Sequence, residues 1–158
     1  MKTLVVYYSR TETTKKVAEE IASKLDSEVE EIRDTVNRKG IWGWLISGRD
    51  GMKRRLTKLY RMEKNPADYD LVIVGTPIWA GNVSAPTRTY LTAFKNKFKK
   101  VAFFCTMGGR GDENAFKEME EVVGQKPIAT LALVAKEVSA NNYTEEIGEF
   151  LNTISSVQ

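Results

Sequence analysis

Apolar and polar positions follow two alternating rhythms along the chain. Residues 3–8 (TLVVYY) are a continuous apolar, β-branched and aromatic run, and 70–76 (DLVIVGT), 101–106 (VAFFCT) and 128–134 (IATLALV) repeat it. Residues 13–25 instead carry Val17, Ile21 and Leu25 at a spacing of four, with Ala18 and Ala22 beside them, which is one apolar face of a helix. EVEEIR at 28–33 alternates more weakly and reads as a further strand. Ser84 is placed to cap a helix over 85–96 with Tyr90, Leu91 and Phe94 inward. Asp112 is placed to cap another reaching about 123, with Phe116, Met119 and Val123 on one stripe, and 143–154 ends the pattern as an amphipathic helix. Strands apolar on both faces, alternating with amphipathic helices, predict an α/β fold. The expected form is a doubly wound five-stranded parallel sheet with helices on both faces, built by residues 1–158 as a single domain.

Ligands of such sheets bind beyond the carboxyl ends of the strands, where the strand order reverses. That directs attention to three loops. Ser9-Arg10-Thr11-Glu12-Thr13-Thr14 places four hydroxyls between a strand and a helix N-terminus, where unpaired N–H groups and the dipole favour an anion. One hydroxyl would suffice for capping; four suit a phosphate monoester. Neither the GxxxxGK[ST] nor the GxGxxG pattern is present, which argues against a nucleoside triphosphate or a dinucleotide. Thr76-Pro77-Ile78-Trp79-Ala80-Gly81-Asn82-Val83 carries a Trp that either covers a core edge or offers a flat face to a planar ligand. Thr106-Met107-Gly108-Gly109-Arg110-Gly111-Asp112 has three glycines in four positions, either a plain turn or a place where a ligand approaches the backbone closely. Together the loops fit a ligand with a phosphate at one end and a planar, hydrogen-bonding ring at the other, the shape of flavin mononucleotide (FMN).

Composition narrows the chemistry. The chain has no histidine, which removes His-based triads, His-ligated metals and histidine acid/base catalysis. Its one cysteine, Cys105, excludes an internal disulfide framework and reads as core packing at a strand end. No apolar run approaches the roughly 20 residues of a membrane span, and MKTLVVYY lacks the form of a signal peptide, so a cytoplasmic location is expected. Net charge is +3, but residues 33–64 hold ten Lys/Arg against Asp34, Asp50 and Glu63. That segment is therefore +7 and the remainder −4. Leu45, Met52, Leu56 and Leu59 share a stripe, which predicts a helix over 45–61 packed on the sheet with Lys53, Arg54, Arg55 and Lys58 as its solvated face. An acidic protein partner or an anionic surface are the other readings of those cations. Trp42 and Trp44, set among Gly40, Gly43, Gly48 and Gly51, predict an irregular loop reaching the ligand or a partner. No nucleic-acid-binding motif is present.

YYSRTETTKKVAEEIA (7–22), VGTPIWAGNVSAPTRTYL (74–91) and FFCTMGGRGDENAFKEM (103–119) resemble the flavodoxin family, and the resemblance, to its short-chain members, runs through essentially the whole chain. It implies a strand order of 2-1-3-4-5 and FMN as cofactor. By resemblance Ser9, Thr11, Thr13 and Thr14, with Arg10 beside them, would hold the phosphate; Glu12 stands where the family usually has Gly. Thr76, Pro77, Ile78, Trp79, Ala80 and Gly81 would line the ring, with Trp79 against one face and the carbonyl of Gly81 or a neighbour bonding flavin N5. Thr106, Met107, Gly108, Gly109 and Arg110 would form the other ring loop, which lacks the family's frequent Tyr, so that either the ring is more open there or Arg110 covers it. Asp112 is the one nearby carboxylate. One unit charge ~8 Å from the ring at an effective dielectric of ~20 is worth about 2 kcal/mol, roughly 90 mV for one electron. A less negative lower potential than in strongly acidic flavodoxins is therefore expected. The resemblance implies a monomeric electron carrier between redox partner proteins, with no catalytic residues of its own and no metal. The alternative is an FMN-dependent NAD(P)H:quinone oxidoreductase on the same fold. A flavin-free or differently liganded adaptor using the basic segment is a third reading, which a colourless protein that fails to take up FMN would favour.

Overall fold

The computed structural model describes residues 1–157. Its elements run β1 (Thr3–Tyr7), α1 (Thr13–Leu25), β2 (Glu28–Glu31), α2 (Gly40–Met52), β3 (Leu71–Trp79), β4 (Asn82–Val83), α3 (Ala85–Phe94), β5 (Val101–Met107), α4 (Asp112–Val123), β6 (Thr130–Val134), α5 (Ala135–Ser139) and α6 (Thr144–Ser156). Five strands pair in parallel in the order β2-β1-β3-β5-β6, and β4 adds a short antiparallel hairpin to the end of β3. The apolar runs occupy β1, β3 and β5 at the centre, where nearly every residue is buried. The weakly alternating β2 is an edge strand with Val29 exposed.

Helices cover both faces, and each face has its own core. Val17, Ile21, Ile147, Phe150 and Ile154 from α1 and α6 pack on Val5, Ile73 and Phe104. Tyr90, Leu91, Ala115 and Met119 from α3 and α4 pack on Leu4, Val72 and Phe103 across the sheet. The Phe104 ring lies over Gly75 in β3, where a Cβ would stand 2.0 Å from its Cζ, so the packing of that ring requires glycine. Cys105 is fully buried in β5, and burial, with Asp112 adding to it, pushes its thiol up to about 12, so it is inert packing. Among the described residues no helix is long and apolar enough to cross a membrane.

Two expectations are corrected. Ser84 caps α3 as expected, its Oγ accepting from the N–H of Thr87, but Asp112 is the first residue of α4 rather than its cap. Gly111 caps that helix at φ 111, a left-handed backbone that favours glycine. The larger correction concerns 40–61. GIWGWLISG is helix, not irregular loop, and the helix ends at Met52 instead of running to 61. Its buried positions are Gly43, Ser47, Asp50 and Gly51, all small or polar, while Ile41, Trp42, Trp44, Leu45 and Met52 are exposed. The physical reason is close approach. A Cβ on Gly43 would lie 2.0 Å from the Arg38 backbone, and one on Gly51 would lie 2.4 Å from the Trp79 carbonyl oxygen. Ser47 and Asp50 face the buried Arg38 guanidinium. Leu56 is exposed as well, and of the stripe read from sequence only Leu59 packs on a core.

Candidate functional site

At the carboxyl ends of β1, β3 and β5 lies a cavity of about 610 Å³, well sized for a cofactor. Its lining draws on four places. Arg10, Thr11, Thr13 and Thr14 come from the first loop and the start of α1; Pro77, Ile78, Trp79 and Ala80 from the end of β3; Thr106, Met107 and Gly108 from β5 and its loop. Trp44, Leu45, Ser47, Gly48, Arg49, Met52 and Lys53 form the fourth wall, with Ala135 at the start of α5.

The four hydroxyls of the first loop divide their work. Ser9 Oγ accepts from the N–H of Lys15 at 3.2 Å, so Ser9 caps α1 from outside and does not line the cavity. Thr14 is buried, and its Oγ1 lies 2.8 Å from Oγ1 of Thr106, which ties the first loop to the third. Thr11 and Thr13 make no side-chain hydrogen bond among the described residues and line the cavity. The first-turn N–H groups of Thr13 and Thr14 have no intrahelical acceptor. The arrangement can bind an anion with hydroxyl and backbone donors at the positive end of a helix.

Trp79 sits chiefly in a core. It is 7 % exposed, Tyr8 meets it edge-on with centroids 5.4 Å apart, and the Arg38 guanidinium carbon lies 4.8 Å from its ring centroid. Burial pushes the Tyr8 hydroxyl up to about 12, with Asp34 adding to it, so that side chain is neutral. Arg38 is itself buried. Its Nε donates to Oδ2 of Asp34 at 2.9 Å, and its Nη1 lies 3.0 Å from Oδ2 of Asp50 in α2. This ion cluster and Gly51 clamp α2 onto the end of β3. Thr76 is buried behind the cavity, its Oγ1 bonded to Ser84 and to the Pro77 carbonyl. The Gly81 carbonyl accepts from Asn114 Nδ2 at 2.9 Å, and that of Ala80 accepts from Asn82 Nδ2. Gly109 and Arg110 are exposed beyond Gly108, and Asp112 lies at the start of α4; none of the three lines the cavity. The wall thus carries the cations Arg10, Arg49 and Lys53 and, among the described residues, no carboxylate.

A family model described as Flavodoxin matches residues 2–150. The chain belongs to the flavodoxin family. A flavoprotein from Lactobacillus acidophilus NCFM, solved in complex with FMN, is similar over 88 % of this chain and 97 % of that one, at 26 % identity and a TM-score of 0.69. An NADH:FMN oxidoreductase in its apo form shares the fold at 14 % identity and a TM-score of 0.59, over 99 % of this chain and 88 % of that one. A flavodoxin from the domain Archaea shares it at 16 % and 0.54, over 97 % and 99 %. No curated protein matches the chain.

Against the flavodoxin phosphate loop, Glu12 holds a position where the family usually has Gly, and the backbone shows why it matters. Glu12 stands at φ 66, in the left-handed region, while its carboxylate pairs with Lys15 Nζ at 2.9 Å and the side chain is 72 % exposed. The charge is directed to solvent and screened; the backbone conformation is the cost. Glu12→Gly is expected to raise stability by about 1 kcal/mol by removing the left-handed penalty. Glu12→Gln should leave it unchanged, and should alter anion affinity less than about twofold. Urea titration of both variants separates strain from charge.

The sequence reading brought the Trp42–Trp44 segment toward the ligand or a partner, but as a loop, and missed Leu45, Ser47, Gly48, Arg49, Met52 and Lys53 as a helical wall. A signal was available: Gly43, Ser47 and Gly51 are spaced by four, which is a helix face of small residues built for close approach.

Proposed function

We propose that the chain binds FMN in this cavity and carries electrons between redox proteins. The observation that carries the reading is the pair Thr11 and Thr13 at the α1 N-terminus, free to donate into a cavity whose other walls are the Pro77–Ala80 segment and the Met107–Gly108 turn. The residues fit the group. Hydroxyl and N–H donors match a phosphate dianion, Arg10 adds positive charge, and apolar side chains flank the space left for a ring. Gly108 has open space where a Cβ would stand, so a planar ligand can approach its backbone. The crystallised FMN complex of the Lactobacillus acidophilus flavoprotein agrees with this assignment.

Bound FMN supplies the redox chemistry, taking up and releasing one or two electrons. The chain's own residues bind, orient and tune. Thr11, Thr13 and the first turn of α1 hold the phosphate end. Thr14 and Thr106 lock two loops at a fixed distance. Ile78, Met107, Leu45 and Met52 exclude water. Among the described residues no histidine, carboxylate or thiol lines the cavity. The three wall cations favour added negative charge on the ring, so the lower one-electron potential should be less negative than in acidic flavodoxins, by up to roughly 90 mV per cation at ~8 Å. A spectroelectrochemical titration that finds a potential as low as theirs refutes this.

The test of function compares FMN with riboflavin by fluorescence quenching. FMN should bind far more tightly, and Thr11→Val/Thr13→Val should erase about 10- to 100-fold of FMN affinity while barely changing that of riboflavin. Equal affinity for the two ligands would remove the phosphate assignment. Steady NAD(P)H oxidation by the FMN-loaded protein with a quinone alone would instead make it a reductase.

A further inference from the structure

The face of α2 turned away from the fold is apolar, and of the exposed cations around it only Arg49 is ion-paired among the described residues, to Asp50. Ile41 and Trp42 are 74 % and 75 % exposed, with Leu45, Met52 and Leu56 continuing the patch. Between 39 and 61 the chain exposes Lys39, Arg49, Lys53, Arg54, Arg55, Lys58 and Arg61. The one carboxylate in that stretch, Asp50, is buried against Arg38 and Arg49, and Asp34 just before it is buried against Arg38 too. The internal ion cluster thus consumes the acidic residues and leaves a surface of one sign. Leu45, Arg49, Met52 and Lys53 also line the cavity, so the patch adjoins one of its walls.

Resting on the FMN reading above, we propose that the outward face of α2 and the segment to Arg61 form the docking surface for an acidic electron-transfer protein. Charge selects the sign of the partner. Seven exposed cations facing seven more disfavour a second copy of this chain. Arg49 lies beside Trp42 around the helix and between Leu45 and Met52 along it, so sinking the crest into acyl chains would drag a guanidinium in, which disfavours a lipid surface. Trp and Arg are among the residues that dominate protein interfaces, and here an apolar centre carries a cationic rim. A partner seated there abuts the cavity wall that α2 supplies.

The experiment reduces the FMN-loaded protein and mixes it with two ferric haem acceptors, acidic cytochrome b5 and basic cytochrome c. In each case one electron leaves the reduced flavin and converts ferric haem to ferrous. The rate with cytochrome b5 should fall about tenfold or more from low to high salt, and the rate with cytochrome c should rise. Arg54→Glu/Lys58→Glu should flatten the cytochrome b5 slope. Trp42→Ala should lower that rate at low salt without changing the slope; none of these three side chains lines the cavity. Flat or inverted salt dependences overturn the proposal. So does a dimer by light scattering that Trp42→Ala dissolves, or binding to anionic phosphatidylglycerol vesicles with none to cytochrome b5. Should the chain take up no FMN, the functional reading fails, and calorimetric binding of cytochrome b5 at low salt still decides the docking surface.

Discussion

Arg38→Met is expected to free α2 from the fold without unfolding the sheet. Arg38 is 4 % exposed and bonds Asp34 and Asp50, whose side chains are 3 % and 9 % exposed. Removing Arg38 leaves the buried Asp34 with no cation and Asp50 with only the half-exposed Arg49, which costs about 3–5 kcal/mol. The protein can escape most of that cost. No side chain of α2 belongs to either core, so the helix can detach and hydrate Asp50 while the sheet and its packed helices stay folded. The expected signature is rapid proteolysis and amide exchange between 39 and 55, with a global unfolding midpoint lowered much less than the cluster's cost implies. FMN affinity should fall at least about tenfold, because Trp44, Leu45 and Met52 leave the cavity wall with the helix. Arg38→Met combined with Asp34→Asn and Asp50→Asn should recover most of the protection, since no buried charge is then left unpaired. Arg38→Lys should fall between, keeping the charge and losing the fork that reaches both carboxylates. A single cooperative transition lowered by the full amount, with 39–55 no more exposed than elsewhere, would show that α2 is part of the core after all.

The same region marks the limit of what the sequence discloses. β1, β3, β5 and β6 are legible because buried parallel strands leave uninterrupted apolar runs. α1, α3, α4 and α6 are legible because their stripes repeat every three to four residues. Periodicity carries one assumption, that large apolar residues face inward. In α2 the assumption inverts. Gly43 and Gly51 face the protein because backbone approaches closely there, and Ser47 and Asp50 join them because the buried Arg38 guanidinium meets both. Neither fact is local: one depends on Trp79, 28 positions after Gly51, and the other on an ion cluster closed by folding. The three loops after β1, β3 and β5 could be read from position alone. The division of labour among their hydroxyls could not, since Ser9 turns back on α1 and Thr14 pairs with Thr106 near the end of β5, 92 residues away.

A second buried ion pair should behave in the opposite way to the first. Arg88 and Glu118 have side chains 6 % exposed each, and Arg88 Nε donates to Glu118 Oε1 at 2.5 Å. The same guanidinium donates to the carbonyls of Val83 and Arg55, each at 2.9 Å. Arg88→Met strands one carboxylate and two carbonyls, again a cost of about 3–5 kcal/mol. Here no element can leave to relieve it. Arg88 lies on α3 and Glu118 on α4, whose Tyr90, Leu91, Ala115 and Met119 fill the core on that face of the sheet. The loss should therefore be global, a single transition lowered by roughly 10 °C. Glu118→Leu combined with Arg88→Met should cost less than Arg88→Met alone, because the stranded charge is gone and an apolar pair remains. The site is affected through Val83, which pairs with Ile78 and fixes the hairpin after β3, and through Arg55, which ties down the chain just past α2. One side chain thus anchors both the Pro77–Ala80 wall and the end of the basic segment. If Arg88→Met instead loosened only those two segments and left the melting transition in place, the pair would be a local latch and not a part of the core.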